Sequence, residues 1–99
     1  ALRGFALLAR RQRRHEDAAA AWSRVLELRR CPPAILREAT EALAVHHEHR
    51  LREPGAARAF ALRALQYQGS VAGRRAVQHR LERLSRKLGE PALAEFLKG

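Results

Sequence analysis

The stretch Phe5–Leu28, which reads FALLARRQRRHEDAAAAWSRVLEL, carries the pattern that predicts the fold. Apolar residues recur at helical spacing on both sides of a basic run, RRQRR. Glu16 and Asp17 follow this run, and acidic side chains favour the start of a helix. The stretch therefore predicts two helices joined by a short turn. Their apolar faces comprise Leu2, Phe5, Ala6 and Ala9 in the first helix and Ala18, Ala21, Trp22, Val25 and Leu26 in the second.

Prolines and polar breaks divide the remaining chain in the same way. Pro33 and Pro54 each suit the first turn of a helix, and Ser70 is a candidate N-cap for a fifth helix. Gly-Glu-Pro at 89–91 ends that helix, and Pro91 begins a short sixth one. Because short connections place neighbouring helices antiparallel, we predict an all-α fold of about five to six helices in stacked hairpins. The later apolar faces comprise Ile35, Leu36, Ala39, Ala42 and Leu43, then Ala57, Phe60, Ala61, Ala64 and Leu65, then Val77, Leu81, Leu84 and Leu88, and finally Leu93, Phe96 and Leu97.

Composition limits the class of protein and of partner. The 99 residues suffice for one small domain, and the formal net charge is +10, which favours acidic proteins or nucleic acid as partners. The single cysteine, Cys31, excludes an internal disulfide and favours a reducing, cytoplasmic location. No apolar run is long enough to span a membrane, so no membrane partner is expected. The opening ALRGFALLARR lacks an initiator Met and begins within a predicted helix, so we expect a piece of a longer protein.

Two segments of the chain resemble each other. Phe5–Leu28 and Leu43–Leu65 each contain a first helix with a small residue, a basic turn, and a second helix with small and bulky residues at matching positions. The second segment has one extra residue in its turn. This pattern resembles the tetratricopeptide repeat over about residues 2–67. The small and aromatic positions of the repeat fall on Ala6, Ala18, Trp22 and Val25 in the first unit and on Ala44, Ala57, Ala61 and Ala64 in the second.

The resemblance implies a single domain over residues 1–99, with one hairpin at 2–30, a second at 33–67 and capping helices at 70–97. Stacked hairpins of this kind bind a peptide or a neighbouring domain in a groove lined mainly by the first helix of each hairpin. An acidic ligand is expected because arginine predominates there, and the exposed end of a stack also favours self-association. The groove candidates are Arg3, Arg10, Arg37, Glu41 and Glu48.

A second resemblance concerns the later part of the chain. The run HEHRLREPGAARAFALRAL, followed by HRLERLSRKL, resembles the helical C-terminal segment of some bacterial proteins with an RNase H-like exonuclease domain. The catalytic carboxylates of those proteins lie in the nuclease domain, so the resemblance assigns no catalytic residue here. It implies an alternative function, a basic nucleic-acid-binding accessory domain. The phosphate-binding candidates on the fifth helix are Arg74, Arg75, Arg80, Arg83 and Lys87.

The run HHEH at positions 46–49 has the residue types of a metal site, but helical geometry argues against one. Successive residues turn about 100° around a helix, so His47 and His49 diverge by about 160° and Glu48 points away from His46. Three ligands from this run cannot converge on one tetrahedral ion while the helix persists. We therefore expect no metal or cofactor, an inward-facing His46 and His47, and a Glu48 that faces solvent.

The sequence also lacks a motif for catalysis. It contains no P-loop, no dinucleotide-binding fingerprint and no nucleophilic Ser flanked by glycines. We therefore expect the chain to be a non-catalytic domain.

Overall fold

A computed structural model describes residues 1–89, which contain five α-helices and no β-strand. The predicted all-α fold is therefore confirmed, whereas the sixth helix predicted after Pro91 lies outside the described residues. None of the five helices combines the length and the apolar character needed to cross a membrane. The helices are α1 (Leu2–Arg11), α2 (His15–Leu26), α3 (Pro33–His49), α4 (Pro54–Leu65) and α5 (Val71–Lys87).

Local sequence signals determine where three of these helices begin. Pro33 and Pro54 occupy the first turns of α3 and α4, where the missing N–H would have had no helical partner. Ser70 is the N-cap of α5, and its hydroxyl accepts a 3.0 Å hydrogen bond from the backbone N–H of Gly73. The predicted helix starts at these three residues are confirmed.

The helices recur with a nearly constant period. Each helix packs against the next one along the chain. The helices α1, α3 and α5 end at residues 11, 49 and 87, which are 38 apart, and α2 and α4 end at residues 26 and 65, which are 39 apart. The starts of α1 and α3 are only 31 residues apart because α1 has 10 residues, whereas α3 and α5 have 17. The turn between α1 and α2 has three residues and that between α3 and α4 has four, which confirms the predicted extra residue. The structural unit is thus longer than the roughly 34 residues of a tetratricopeptide repeat.

Two apolar clusters fill the space between the helices. The first lies among α1, α2 and α3 around Trp22 and Leu43, which are 3% and 1% exposed. The second lies among α3, α4 and α5 around Leu84, which is fully buried. The adjacent residues Leu43 and Ala44 enter different clusters, and Phe60 packs against both. The residues assigned to small positions of the repeat are all buried: Ala6, Ala18, Val25, Ala44, Ala57, Ala61 and Ala64.

The apolar face of α1 differs from the predicted one. Phe5 is 46% exposed, and the guanidinium of Arg14 lies 5.7 Å from the centre of its ring. Ala6 and Ala9 are buried as predicted, and Leu7 packs beside the first cluster, so the departure is at Phe5. The small side chains of Ala6 and Ala9 let α1 pack closely against its neighbours. Phe5 lies beside this contact and stays partly exposed near the guanidinium of Arg14.

In the turn of each hairpin, one arginine adopts a left-handed backbone conformation that glycine adopts more easily. Arg13 and Arg52 have positive φ angles of 59° and 52°. In the first turn the backbone N–H of Arg14 donates to the carbonyl of Ala9 at 2.8 Å, and that of Arg13 donates to the carbonyl of Arg10 at 3.0 Å. This is the Schellman arrangement, which satisfies the last carbonyls of α1 and requires a left-handed residue at Arg13.

Replacing Arg13 by glycine is expected to raise the free energy of unfolding by about 0.5–1 kcal/mol, because glycine has no Cβ to oppose a positive φ. Urea denaturation followed by circular dichroism measures the change. Gln12→Gly is the control: Gln12 has a φ of −84°, so glycine relieves nothing there and only adds freedom to the unfolded chain. Equal destabilisation by both variants would contradict the left-handed conformation of Arg13.

Candidate functional site

A groove of about 560 Å³ runs across α1, α3 and α5, with α2 at its floor. The floor is formed by small or buried side chains such as Ala18, Ala42 and Trp22. Leu7 and Val45 form apolar walls, and Val45 is 40% exposed. The lining residues are Leu7 and Arg10 of α1, His15, Ala18, Ala19 and Trp22 of α2, Glu38, Glu41, Ala42, Val45, His46 and His49 of α3, Arg50 of the next turn, and Ala76, Val77 and Arg80 of α5.

The acidic side chains of this groove bind other side chains of the protein, whereas two of its arginines make no ion pair within residues 1–89. Glu38 accepts hydrogen bonds from Arg3 Nε at 2.6 Å and Nη2 at 3.1 Å. Glu41 accepts one of 2.6 Å from the side-chain amide of Gln68. The guanidiniums of Arg10 and Arg80 make no ion pair within residues 1–89. The groove therefore presents cations to a ligand while its carboxylates already bind other side chains.

A second cavity, of about 430 Å³, adjoins the groove where α2 begins and α3 ends. His15, His46 and Arg50 line both spaces. The Nη2 of Arg50 donates to Nε2 of His15 at 2.6 Å. Burial lowers the pKa of His46, and His47, His15 and Arg50 lower it further, with Glu16 opposing them. An uncharged His46 is thus favoured when no anion is bound.

The histidines of the HHEH run point in different directions. His46 and the more exposed His49 line the groove, whereas the ring of His47 stacks on Phe60 with 5.1 Å between centroids. The predicted divergence of these side chains is confirmed. The Nδ1 of His47 is buried without a hydrogen bond, 3.9 Å from a carboxylate oxygen of Glu53. Within residues 1–89, no three His, Cys, Asp or Glu side chains are placed to share a metal ion.

Glu48 is buried between α3 and α5, so the prediction that it faces solvent is wrong. Its carboxylate accepts hydrogen bonds from Arg83 Nη2 at 2.8 Å, from Arg83 Nε at 2.9 Å and from Lys87 Nζ at 2.8 Å. Arg83 foremost, with Lys87, lowers the pKa of Glu48 to about 2 although burial opposes the charged form. The side chains of Arg83 and Lys87 reach from α5 to this carboxylate, which an isolated α3 would expose to water.

The groove candidates from the sequence separate in space. Arg10 and Glu41 line the groove. Arg3 binds Glu38, which also lines it, whereas Arg37 is half-buried on α3 and is not part of the lining. Glu48, the fifth candidate, is buried and binds Arg83 and Lys87 of α5.

The phosphate-binding candidates of α5 likewise point in different directions. Arg80 lines the groove, and Arg83 and Lys87 bind the buried carboxylate of α3. Arg74 and Arg75 are exposed. Two of the five cations are therefore already paired inside the protein.

The sequence-based site candidates did not include the groove residues His15, Glu38, His46, His49 and Arg50. His15 and Arg50 are the two whose meeting depends on helix packing. They lie at the first residue of α2 and just beyond the last residue of α3. Antiparallel packing of two neighbouring helices brings the start of one beside the end of the other. The short connections predicted from sequence were therefore a signal that could have placed these two side chains together.

Comparisons with protein-family models, curated proteins and solved structures find no match to this chain.

Proposed function

We propose that this chain is a non-catalytic, tetratricopeptide-like interaction domain that binds an acidic segment of another protein, or of a neighbouring domain, in the groove. The observation that carries the proposal is the difference between the two signs of charge there. Glu38 and Glu41 are engaged with side chains of the protein, whereas Arg10 and Arg80 make no ion pair within residues 1–89.

The shape of the groove supports a peptide ligand. A volume of about 560 Å³ accommodates a few side chains, and it lies within the usual range for ligand sites. Alanines on the floor leave room for apolar side chains, and Leu7, Val45 and Val77 supply apolar contacts. A segment that alternates apolar and acidic residues would complement both the floor and the rim.

Reversing two groove charges is expected to weaken binding of such a segment. A fluorescein-labelled peptide of alternating Leu with Asp or Glu serves as the probe, and anisotropy measures the dissociation constant. The double variant Arg10→Glu/Arg80→Glu should bind about tenfold or more weakly, because each change replaces attraction by repulsion next to the ligand. The loss should diminish at high salt, which screens exposed charges.

The matched control is Arg74→Glu/Arg75→Glu, which makes the same change in net charge at exposed positions of α5 outside the groove lining. It should retain most of the affinity. Equal losses in the two double variants would show that binding follows net charge alone, and would contradict the groove as the site.

A single-stranded oligonucleotide in the same assay tests the alternative of nucleic-acid binding. Tighter binding of the oligonucleotide than of the peptide, lost in the Arg74→Glu/Arg75→Glu variant, would contradict the proposal and support a basic accessory domain. The engagement of Arg83 and Lys87 by a buried carboxylate argues for the peptide.

A further inference from the structure

The junction between the groove and the smaller cavity brings together three side chains that can bind an anion. His15 begins α2, His46 lies in the last turn of α3, and Arg50 follows α3. All three line both spaces, so a ligand in the groove can reach them. Both histidines are half-buried, which limits competition from water.

The guanidinium of Arg50 donates a hydrogen bond to a weak acceptor, the ring of His15. A guanidinium can only donate hydrogen bonds, so the 2.6 Å contact between Arg50 Nη2 and His15 Nε2 requires an unprotonated Nε2. A carboxylate accepts stronger, charge-assisted hydrogen bonds from arginine than a neutral ring does. Within residues 1–89, no carboxylate pairs with Arg50. The contact is therefore one that an acidic ligand can displace.

The other cations around the junction also favour an anion. Arg10 of α1 and Arg80 of α5 line the adjoining groove. Arg13 of the first turn lines the smaller cavity, as does Arg14, whose charge is paired with that of Asp17. Positive groups thus come from α1, from α5 and from the turn before α2.

The carboxylates around the junction do not neutralise it. Asp17 binds Arg14 at 2.8 Å, and Glu38 and Glu41 bind side chains outside the junction. Glu16 is exposed at the start of α2. Its opposing charge is therefore partly screened by water.

We infer that His15, His46 and Arg50 form a binding site for a carboxylate of the acidic segment, and that this carboxylate binds with uptake of a proton from solvent. The inference rests on the proposed function. It adds where one carboxylate of the acidic segment binds, and that its binding takes up a proton. In the complex Arg50 donates to one carboxylate oxygen instead of to His15. The ring of His46 takes the proton and donates to the carboxylate.

The direction of the pH dependence follows from the charges. In the unbound protein the pKa of His46 is lowered by burial and by the neighbouring His47, His15 and Arg50, so the ring is neutral at neutral pH. A bound carboxylate favours the charged ring and raises that pKa. Binding therefore takes up a proton, and affinity rises as the pH falls through the pKa of the complex.

Isothermal titration of the full chain with the Leu and Asp/Glu peptide, at about pH 7.5 and about pH 6, tests this directly. The affinity should rise about fivefold at the lower pH, since one fully coupled proton changes it about tenfold per pH unit. Titrations in two buffers with different ionisation enthalpies should report proton uptake on binding. The double variant His15→Gln/His46→Gln should lose the rise, whereas the control His79→Gln, an exposed α5 position, should keep it.

The outcomes separate the inference from the function on which it rests. Peptide binding that Arg10→Glu/Arg80→Glu weakens, but that neither pH nor His15→Gln/His46→Gln affects, would overturn the inference alone. A wild-type chain that binds no peptide at either pH would overturn both. If the double variant fails to fold, NMR titration of the histidine rings in the wild type replaces it, and bound peptide should shift a ring titration to higher pH. Unchanged ring titrations with bound peptide would overturn the inference.

Discussion

Replacing Glu48 by alanine is expected to lower the free energy of unfolding by about 2–3 kcal/mol. The carboxylate is buried and accepts three hydrogen bonds of 2.8–2.9 Å from Arg83 and Lys87, which attach α5 to α3. Removing one member of such a cluster leaves the others unpaired, which is strongly destabilising when they stay buried. Arg83 and Lys87 are 42% and 44% exposed and can turn to water, so we expect a loss at the lower end of that range. Urea denaturation measures it.

Glu38→Ala is a closely matched control. Glu38 also binds an arginine 35 positions away through two guanidinium nitrogens, but this pair is open to water, with Arg3 49% exposed. Exposed pairs contribute little, so Glu38→Ala should have a far smaller effect than Glu48→Ala. Equal effects would contradict the special role of the buried carboxylate.

The pH dependence of stability provides a second readout for Glu48. Its folded-state pKa of about 2 lies below the ordinary value of 4.5, so the unfolded chain is protonated first as the pH falls. The stabilisation from Glu48 is therefore complete above about pH 5 and is lost progressively between about pH 4.5 and pH 2. The stability of wild type relative to Glu48→Gln should shrink over this interval. A difference that stays constant across it would show that the ion pairs contribute nothing.

Replacing Leu43 by alanine is expected to have an effect of similar or greater size, about 3 kcal/mol. Leu43 is 1% exposed and contributes to the cluster among α1, α2 and α3, beside Trp22. The substitution removes buried methyl groups and leaves a cavity that the surrounding helices can fill only in part. Trp22 is the single tryptophan and belongs to the same cluster, so its fluorescence during urea denaturation reports the change.

The same substitution at Leu62 is the control for this prediction. Leu62 lies on α4 and is 45% exposed, so little apolar area returns to water when it is shortened. The change in unfolding free energy should stay within about 0.5 kcal/mol. A large loss at Leu62, or a small one at Leu43, would contradict the assignment of the core.

Features of the fold that depend on neighbouring residues were predictable from sequence. The starts of α3, α4 and α5 follow from the fixed φ of proline and from the hydroxyl of Ser70. The apolar face of α4, with Ala57 and Ala61 buried, follows from helical periodicity alone. These features need no knowledge of how the helices pack.

Features that depend on distant residues were not predictable in the same way. Glu48 is buried because α5 returns to α3, and its partner Arg83 lies 35 positions away. The left-handed Arg13 lacks the glycine that usually marks such a turn. For the candidate site, Arg10 and Glu41 were identified from the expected groove helices, whereas Arg50 required the packing of α2 against α3.

Phe60 has a consequence for how the chain unfolds. In a linear array of helical units, each unit contacts only its neighbours, so all-or-none unfolding depends on the free energy of coupling between adjacent units. Phe60 contacts both apolar clusters and stacks on His47, so its ring contributes to that coupling. A partly folded array with one unit melted would expose one side of this ring. One aromatic side chain of α4 therefore contributes to the cooperativity of the whole domain.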